Sequence, residues 1–172
     1  MDEEWEFQIP VKDTTHIKYN LVWTHMKNYD FMINLAHFKW HVMWWFWWVL
    51  KNQSIWVASA NWKANIHTAW ASTQVKWMWR YVPKDWDKVP ENNNPFTESM
   101  AAAAQSVADY FWENILYINI MNNLSIDCDC DPNPATPEMN DIWILSSLDP
   151  VALDQACLDL ILNYEPKEWA SA

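Results

Sequence analysis

The amino-acid sequence predicts an α/β layered domain with a mostly parallel sheet flanked by helices. Three observations carry that expectation. Elements follow one another as helix, strand, loop, strand and helix over the second half of the chain, the order from which layered α/β domains are built. The two best-marked helices, near Thr97 and at Asp149-Pro150, each carry an apolar stripe that needs a sheet to cover it. The chain of 172 residues, 51% hydrophobic and 19% charged, has the composition of a folded protein. That length suits one domain with a real core, expected to span residues 1–172.

Each element has its own reason. The first twenty residues are polar with a short alternation, Glu6-Phe7-Gln8-Ile9, which predicts an edge hairpin. Tyr29–Leu35 (YDFMINL) is an apolar run after a polar turn and predicts a buried strand. Val49–Ser59 is expected to start helical and end irregular. Residues 61–95 read as a long excursion closing in the turn-rich Val89–Pro95, too short to divide the chain in two. Thr97 can cap a helix whose apolar face is Met100, Ala103, Val107, Tyr110 and Phe111, and Trp112 stands where a glycine would end it. Ile115–Met121 (ILYINIM) predicts a strand bounded by asparagines, and Asp141–Ser146 a second short one. Asp149 and Pro150 supply an N-cap and a proline at the first helical position. The helix they open buries Leu153, Cys157, Leu160, Ile161 and Tyr164.

One residue type is missing. The chain has no glycine where roughly 12 are expected, and it has 16 tryptophans. Asn61-Trp62 and Asp85-Trp86 stand where Asn-Gly and Asp-Gly would signal turns that need positive φ. Tryptophan therefore occupies positions suited to glycine, whether through design, recoding or error. The stretch His37–Ser54 (HFKWHVMWWFWWVLKNQS) shows this most strongly. With Trp40, Trp44, Trp45, Trp47 and Trp48 standing for glycine, it becomes a glycine-rich loop leading into a helix.

Charge and cysteine usage narrow the function classes. A net charge of −11 and a pI near 4.6 argue against sequence-independent binding to nucleic acid or to an anionic membrane surface. His37, Lys39 and His41 interrupt the apolar run 31–50, so no membrane-spanning helix is expected. The acidic start MDEEWEFQIP has no apolar core of a signal peptide, and the compartment stays open. Three cysteines do not make a secreted disulfide framework.

Two constellations could carry chemistry. His37 and His41 are four apart, which on a helix places both on one face as a metal requires, but the HExxH signature is absent from His37-Phe38-Lys39-Trp40-His41. The alternative is that they bond to backbone in a part-buried loop. Lys39 and Lys51 flank the tryptophan cluster and could add charge to a backbone cradle for a small anion, although the spacing is not that of a Walker loop. Close backbone packing is the other reading of such a loop. The second constellation is Asp127-Cys128-Asp129-Cys130-Asp131, beyond a strand end, where Cys128 and Cys130 can both face a metal. A solvated acidic turn with two incidental thiols is the alternative. Cys157 belongs to a helix core, so a complete four-cysteine iron–sulfur site is not available. Asp154 sits in the first turns of the last helix, where the dipole favours a carboxylate, and His67 could join a site without its spacing requiring it.

These stretches resemble a family. HFKWHVMWWFWWVLKNQSIWVAS, ILYINIMNNLSIDCDCD and DIWILSSLDPVALDQACLDL are similar in order and spacing, over most of residues 7–164, to the domain of unknown function 362 family, often labelled uncharacterised iron–sulfur-centre proteins. Where that family has glycine, this chain has Trp40, Trp44, Trp45, Trp47, Trp48, Trp56 and Trp143. Trp79 reads as an original tryptophan. The resemblance implies that the chain is the central to C-terminal part of a longer member, and that ferredoxin-like cysteine runs inserted in many members are missing here. His37, Lys39, His41, Lys51, Asn52, Cys128, Cys130 and Asp154 match the recurrent polar positions.

Three readings follow. In the first, Cys128 and Cys130, helped by His37 or His41, hold a metal ion or iron–sulfur centre in a redox-linked protein. Lys39, Lys51, Asn52 and Asp154 bind an anionic small molecule beside it. In the second, the loop is a non-catalytic module for an anion or a partner segment. In the third, the tryptophan rings fill the loop and the chain, aggregated or molten, has no function. Whether the protein is an enzyme, and its oligomeric state, stay open.

Overall fold

The structure is a computed structural model that describes residues 6–39, 48–70, 94–124, 133, 136, 137 and 139–164. The chain forms two compact units, one of residues 1–32 and 50–115 and the other of residues 33–49 and 116–172. Helices and strands both contribute, in two sheets.

The first unit begins with the expected hairpin. β1 (Glu6–Pro10) pairs antiparallel with β2 (Tyr19–Trp23), Phe7 opposite Val22 and Ile9 opposite Asn20. A 3-10 turn at Thr24–Asn28 follows. Val57–Ser59 runs along the other edge of β2, with Ser59 N donating to Leu21 O at 2.9 Å. Among the described residues, three helices belong wholly or largely to this unit: α1 (Val49–Ile55), α2 (Ala60–His67) and α3 (Asn94–Phe111). Helix α3 packs on both strands and on α2, burying Met100, Ala103, Val107 and Phe111. Tyr110, expected on that buried stripe, is exposed and meets Phe7 edge-on instead. Two buried amides donate to hydroxyl or backbone partners: Asn20 Nδ2 donates to Ser106 Oγ at 3.0 Å, and Gln53 Nε2 to Ala104 O at 2.6 Å.

Two expectations about this unit fail for local reasons. Thr97 does not cap α3, because the helix starts three residues earlier at Asn94. Asn61-Trp62 is not a turn. Ser59 Oγ accepts from Trp62 N at 3.2 Å, so the pair forms the first turn of α2. The serine cap, two residues upstream, satisfies an N–H that a turn would have left to water.

The second unit holds a three-stranded sheet in the order β3 (Met32–His37), β4 (Ile115–Ile120), β5 (Ile144–Ser147). Met32 N donates to Asn114 O and Phe38 N to Ile120 O, both at 2.9 Å. The same sequence offset at both ends means that β3 and β4 run parallel. β5 pairs antiparallel with β4, Ile118 opposite Ser146 and Ile120 opposite Ile144. The sheet is thus mixed, and the mostly parallel sheet expected from sequence is not what these pairings form. The connection from β3 to β4 carries three helices among the described residues, and a parallel crossover is usually made through a helix. The return from β4 to β5 carries none among the described residues.

Helix α4 (Pro150–Leu162) packs against β5 and begins as expected, Asp149 Oδ1 accepting from Val151 N at 2.9 Å and Ala152 N at 3.0 Å. β3 starts at Met32 rather than Tyr29, and it is not a buried strand. Ile33 and Leu35 are more than half exposed while Asn34 and Ala36 are buried. The apolar run YDFMINL hides this, because its buried phase falls on Asn34 and Ala36. β5 likewise begins at Ile144, three residues after the predicted start.

Candidate functional site

The second unit gathers its polar groups at two levels of the parallel pair, at the carboxyl ends of β3 and β4 and on the buried side of the sheet beneath them. His37 is the last residue of β3. Its Nε2 lies 2.7 Å from Asn122 O, and because a carbonyl only accepts, this nitrogen carries the hydrogen. In a neutral ring the lone pair then belongs to Nδ1. Lys39 Nζ donates to Asn123 O at 3.0 Å. Asn123 has a φ of 46°, and its N–H donates to Asp141 Oδ1 at 2.9 Å. The turn after β4 thus presents two successive carbonyls, one to His37 and one to Lys39.

The buried level is built on Asp154. Helix α1 starts after Trp48, whose indole cannot accept a hydrogen bond and so cannot cap it. Asp154 serves the N–H groups at the helix start from 105 residues away, Oδ1 accepting from Val49 N at 3.1 Å and Oδ2 from Trp48 N at 3.2 Å. Asn119 Nδ2, from β4, donates to Asp154 Oδ1 at 2.9 Å and to Cys157 Sγ at 3.4 Å. Asn34 Nδ2, from β3, donates to Val49 O at 2.7 Å. Asn119, Asn34 and Asp154 are all buried, so this network lies inside the unit. Asn119 Oδ1 has no partner among the described residues.

The described residues on either side of the segment 40–47, Phe38 and Lys39 before and Trp48 and Val49 after, are therefore held. Before it, the Phe38 ring stacks on the Trp48 ring with centroids 3.4 Å apart, and Lys39 O accepts from Trp48 Nε1. After it, Asp154 and Asn34 fix Trp48 and Val49. The start of helix α1 thus meets the chain's own carboxylate, that of Asp154.

Of the residues singled out from sequence, His37, Lys39 and Asp154 belong to this unit, whereas Lys51 and Asn52 lie on α1 in the first unit. His41, Cys128 and Cys130 lie outside the described residues, as do Trp40, Trp44, Trp45, Trp47 and the Asp85-Trp86 pair. Among the described residues, no group of three His, Cys, Asp or Glu side chains could hold a metal ion. His67 belongs to α2, where Nδ1 donates to Lys63 O at 2.6 Å and the ring lies against Phe96. Burial, chiefly, holds its pKa below the usual 6.5, helped by the charges of Lys51 and Lys63 against the pull of the Lys63 carbonyl.

A four-cysteine iron–sulfur cluster does not fit this chain. It has three cysteines, and Cys157 is a free thiol buried in the core. Burial first and the Asp154 charge second push it up to about 11, against the opposing bond from Asn119. Sequence reasoning missed Asn34 and Asn119. Their signal was available, since each is an asparagine within an apolar strand run, and a buried amide needs a partner.

The comparisons with known proteins bear on the whole chain. No curated protein and no solved structure matches it. The model of one family, described as Domain of unknown function (DUF362), matches residues 1–159. The chain belongs to that uncharacterised family.

Proposed function

We propose that this chain binds a single metal ion at the carboxyl end of the β3–β4 pair, through Cys128, Cys130 and His37, with His41 a further ligand. The protein would be redox-linked, working on a small anionic ligand that Lys39 attracts. The observation that supports this reading is the His37 hydrogen bond. Metal-binding histidines characteristically give their other ring N–H to a carbonyl or carboxylate, and His37 gives Nε2–H to Asn122 O. The chain that follows Asn122 and Asn123 runs on to Cys128 and Cys130, and carboxyl ends of parallel strands are where α/β proteins hold ligands. Two thiolates and an imidazole suit zinc, iron or copper better than magnesium or calcium. A metal bound there would supply Lewis-acid or one-electron chemistry, and the cationic Lys39 would hold an anion beside it.

Metal analysis of the purified full chain tests the proposal. About one transition-metal ion per chain is expected, falling to trace level in Cys128→Ser and at least about tenfold in affinity in His37→Gln. A chain that carries only trace metal, with Cys128→Ser making no difference, refutes it.

A further inference from the structure

We propose that His67, Lys51 and Lys63 form a binding site for a phosphate group. All three belong to the first unit, Lys51 on α1 and the other two on α2. His67 is fixed in one tautomer. Its Nδ1 donates to Lys63 O at 2.6 Å, so in the neutral ring the lone pair lies on Nε2. The ring lies against that of Phe96, with centroids 4.9 Å apart, and the residue is half-buried. Nε2 has no partner among the described residues. An accepting nitrogen on a ring pinned in this way is placed to take a proton from a ligand.

Two ammonium groups act on that ring. Lys63, one helical turn before His67, holds its Nζ 5.1 Å from the centre of the Trp56 ring. Lys51 comes from α1, and its charge reaches His67 together with that of Lys63. No acid offsets them among the described residues. Of the elements packed on α2, β2 carries no charged residue, and the two acids of α3, Glu98 and Asp109, bond His16 and Lys12. Burial and the two lysines together keep the ring neutral near pH 7. The chain as a whole carries −11 and repels anions, so an anion is drawn to a local pair of cations and not to the surface at large.

The ligand must bring negative charge for the lysines and a proton for Nε2. A phosphate group does both, because it gives up its second proton near pH ~6, close to imidazole itself. One proton between Nε2 and a phosphate oxygen then satisfies both partners, whichever side it occupies. Sulfate carries the charge but no proton at neutral pH, and a carboxylate, with a pKa of about 4, has none either. A metal cation is repelled by the lysines.

The histidine resonances of the full chain, titrated by NMR with inorganic phosphate, test this. Those of His67 are identified by their loss in His67→Asn. Saturating phosphate should raise the midpoint of the His67 titration by about one pH unit or more. At a pH of about 7.5, phosphate should bind roughly tenfold more tightly than sulfate, a preference lost in His67→Asn. Lys51→Met and Lys63→Met should each weaken phosphate binding about tenfold, whereas Lys12→Met, at the Asp109 pair, should not. Cys128→Ser, which disables the metal site proposed above, should leave the His67 response unchanged, so the two proposals fail separately. Glycerol phosphate separates the sources of the group: tighter binding than phosphate marks an ester, weaker binding the free ion. A His67 midpoint that ignores phosphate overturns the proposal, whatever the variants do. So does sulfate that binds as tightly as phosphate, the mark of two surface lysines and nothing more.

Discussion

Trp112 ends helix α3 with a φ of 53°, and Trp70 follows α2 with a φ of 78°. For a residue with a Cβ the left-handed region costs about 1–2 kcal/mol, and glycine adopts it freely. Trp112 is 74% exposed, so its ring returns little of that cost through packing. Trp112→Gly should therefore stabilise the chain by about 0.5–1 kcal/mol after allowing for glycine's extra unfolded-state entropy. A thermal midpoint higher by roughly 1–4 °C, with no gain in Trp112→Ala, is the expected readout. Trp70 differs, since its ring meets Tyr19 and Trp62 edge-on, and Trp70→Gly loses those contacts while relieving the backbone. The Trp112 position was legible because it follows an apolar helical stripe. Trp62 was not, because a tryptophan after asparagine reads as a turn until Ser59 is seen to cap the helix. Its ring is core, stacked on Tyr19 with centroids 4.7 Å apart, but its indole N–H has no partner among the described residues. His67 sets a pH limit at the same scale. Its folded pKa is lowered, so its contribution to stability is present above 6.5 and is lost as pH falls through the folded value. Urea midpoints measured from pH 7 to pH 5 should fall less steeply in His67→Asn than in the parent chain.

Helix α1 shows what an element gains from outside itself. Seven residues make fewer than two full turns, too short to persist without packing, and the indole of Trp48 before them cannot accept a hydrogen bond. Asp154 and Asn119 provide what is missing. Asp154→Ala would take the carboxylate from Trp48 N and Val49 N and leave Asn119 Nδ2 with Cys157 Sγ alone, and should cost about 2–4 kcal/mol. Urea denaturation gives that figure, and amide exchange at Trp48 and Val49 should accelerate in the variant ahead of the strands. Equal protection at both amides would show that the carboxylate does not hold the helix start. Local signals of this kind, Asp149-Pro150 above all, marked α4 correctly from the sequence. The Asp154 network was invisible there because its partners are 35 and 105 residues away, and spacing arguments see only one turn of helix. β3 was legible as an element but not as a surface. Its run is apolar at nearly every position, so only the structure shows which phase is buried.

At the scale of the whole chain, composition and order predicted helices with strands, and the match to one family over residues 1–159 agrees with the long motifs that carried the resemblance. Order alone favoured parallel strands. It was right for β3 with β4, which are joined through helices, and wrong for β4 with β5, which are joined by a connection with no helix among its described residues. Among the described residues no helix is long and apolar enough to cross a membrane. His37 and Lys39 could be singled out from the sequence by residue type, while the Asn122 and Asn123 carbonyls that they meet, 85 and 84 residues away, could not. The net charge of −11 carries one further expectation. At low salt the chain should pass a nucleic-acid column without retention, and binding there would mean a basic patch that composition conceals.

The parallel pairing of β3 with β4 also sets a clock on synthesis. β3 cannot find its neighbour until roughly eighty further residues have been made, which at about 5–20 residues per second is on the order of 4–16 s. Throughout that interval Ile33 and Leu35 belong to an unpaired strand with bare amides as well as bare side chains. The nascent chain is then at its most open to aggregation, well before any question of metal or partner arises.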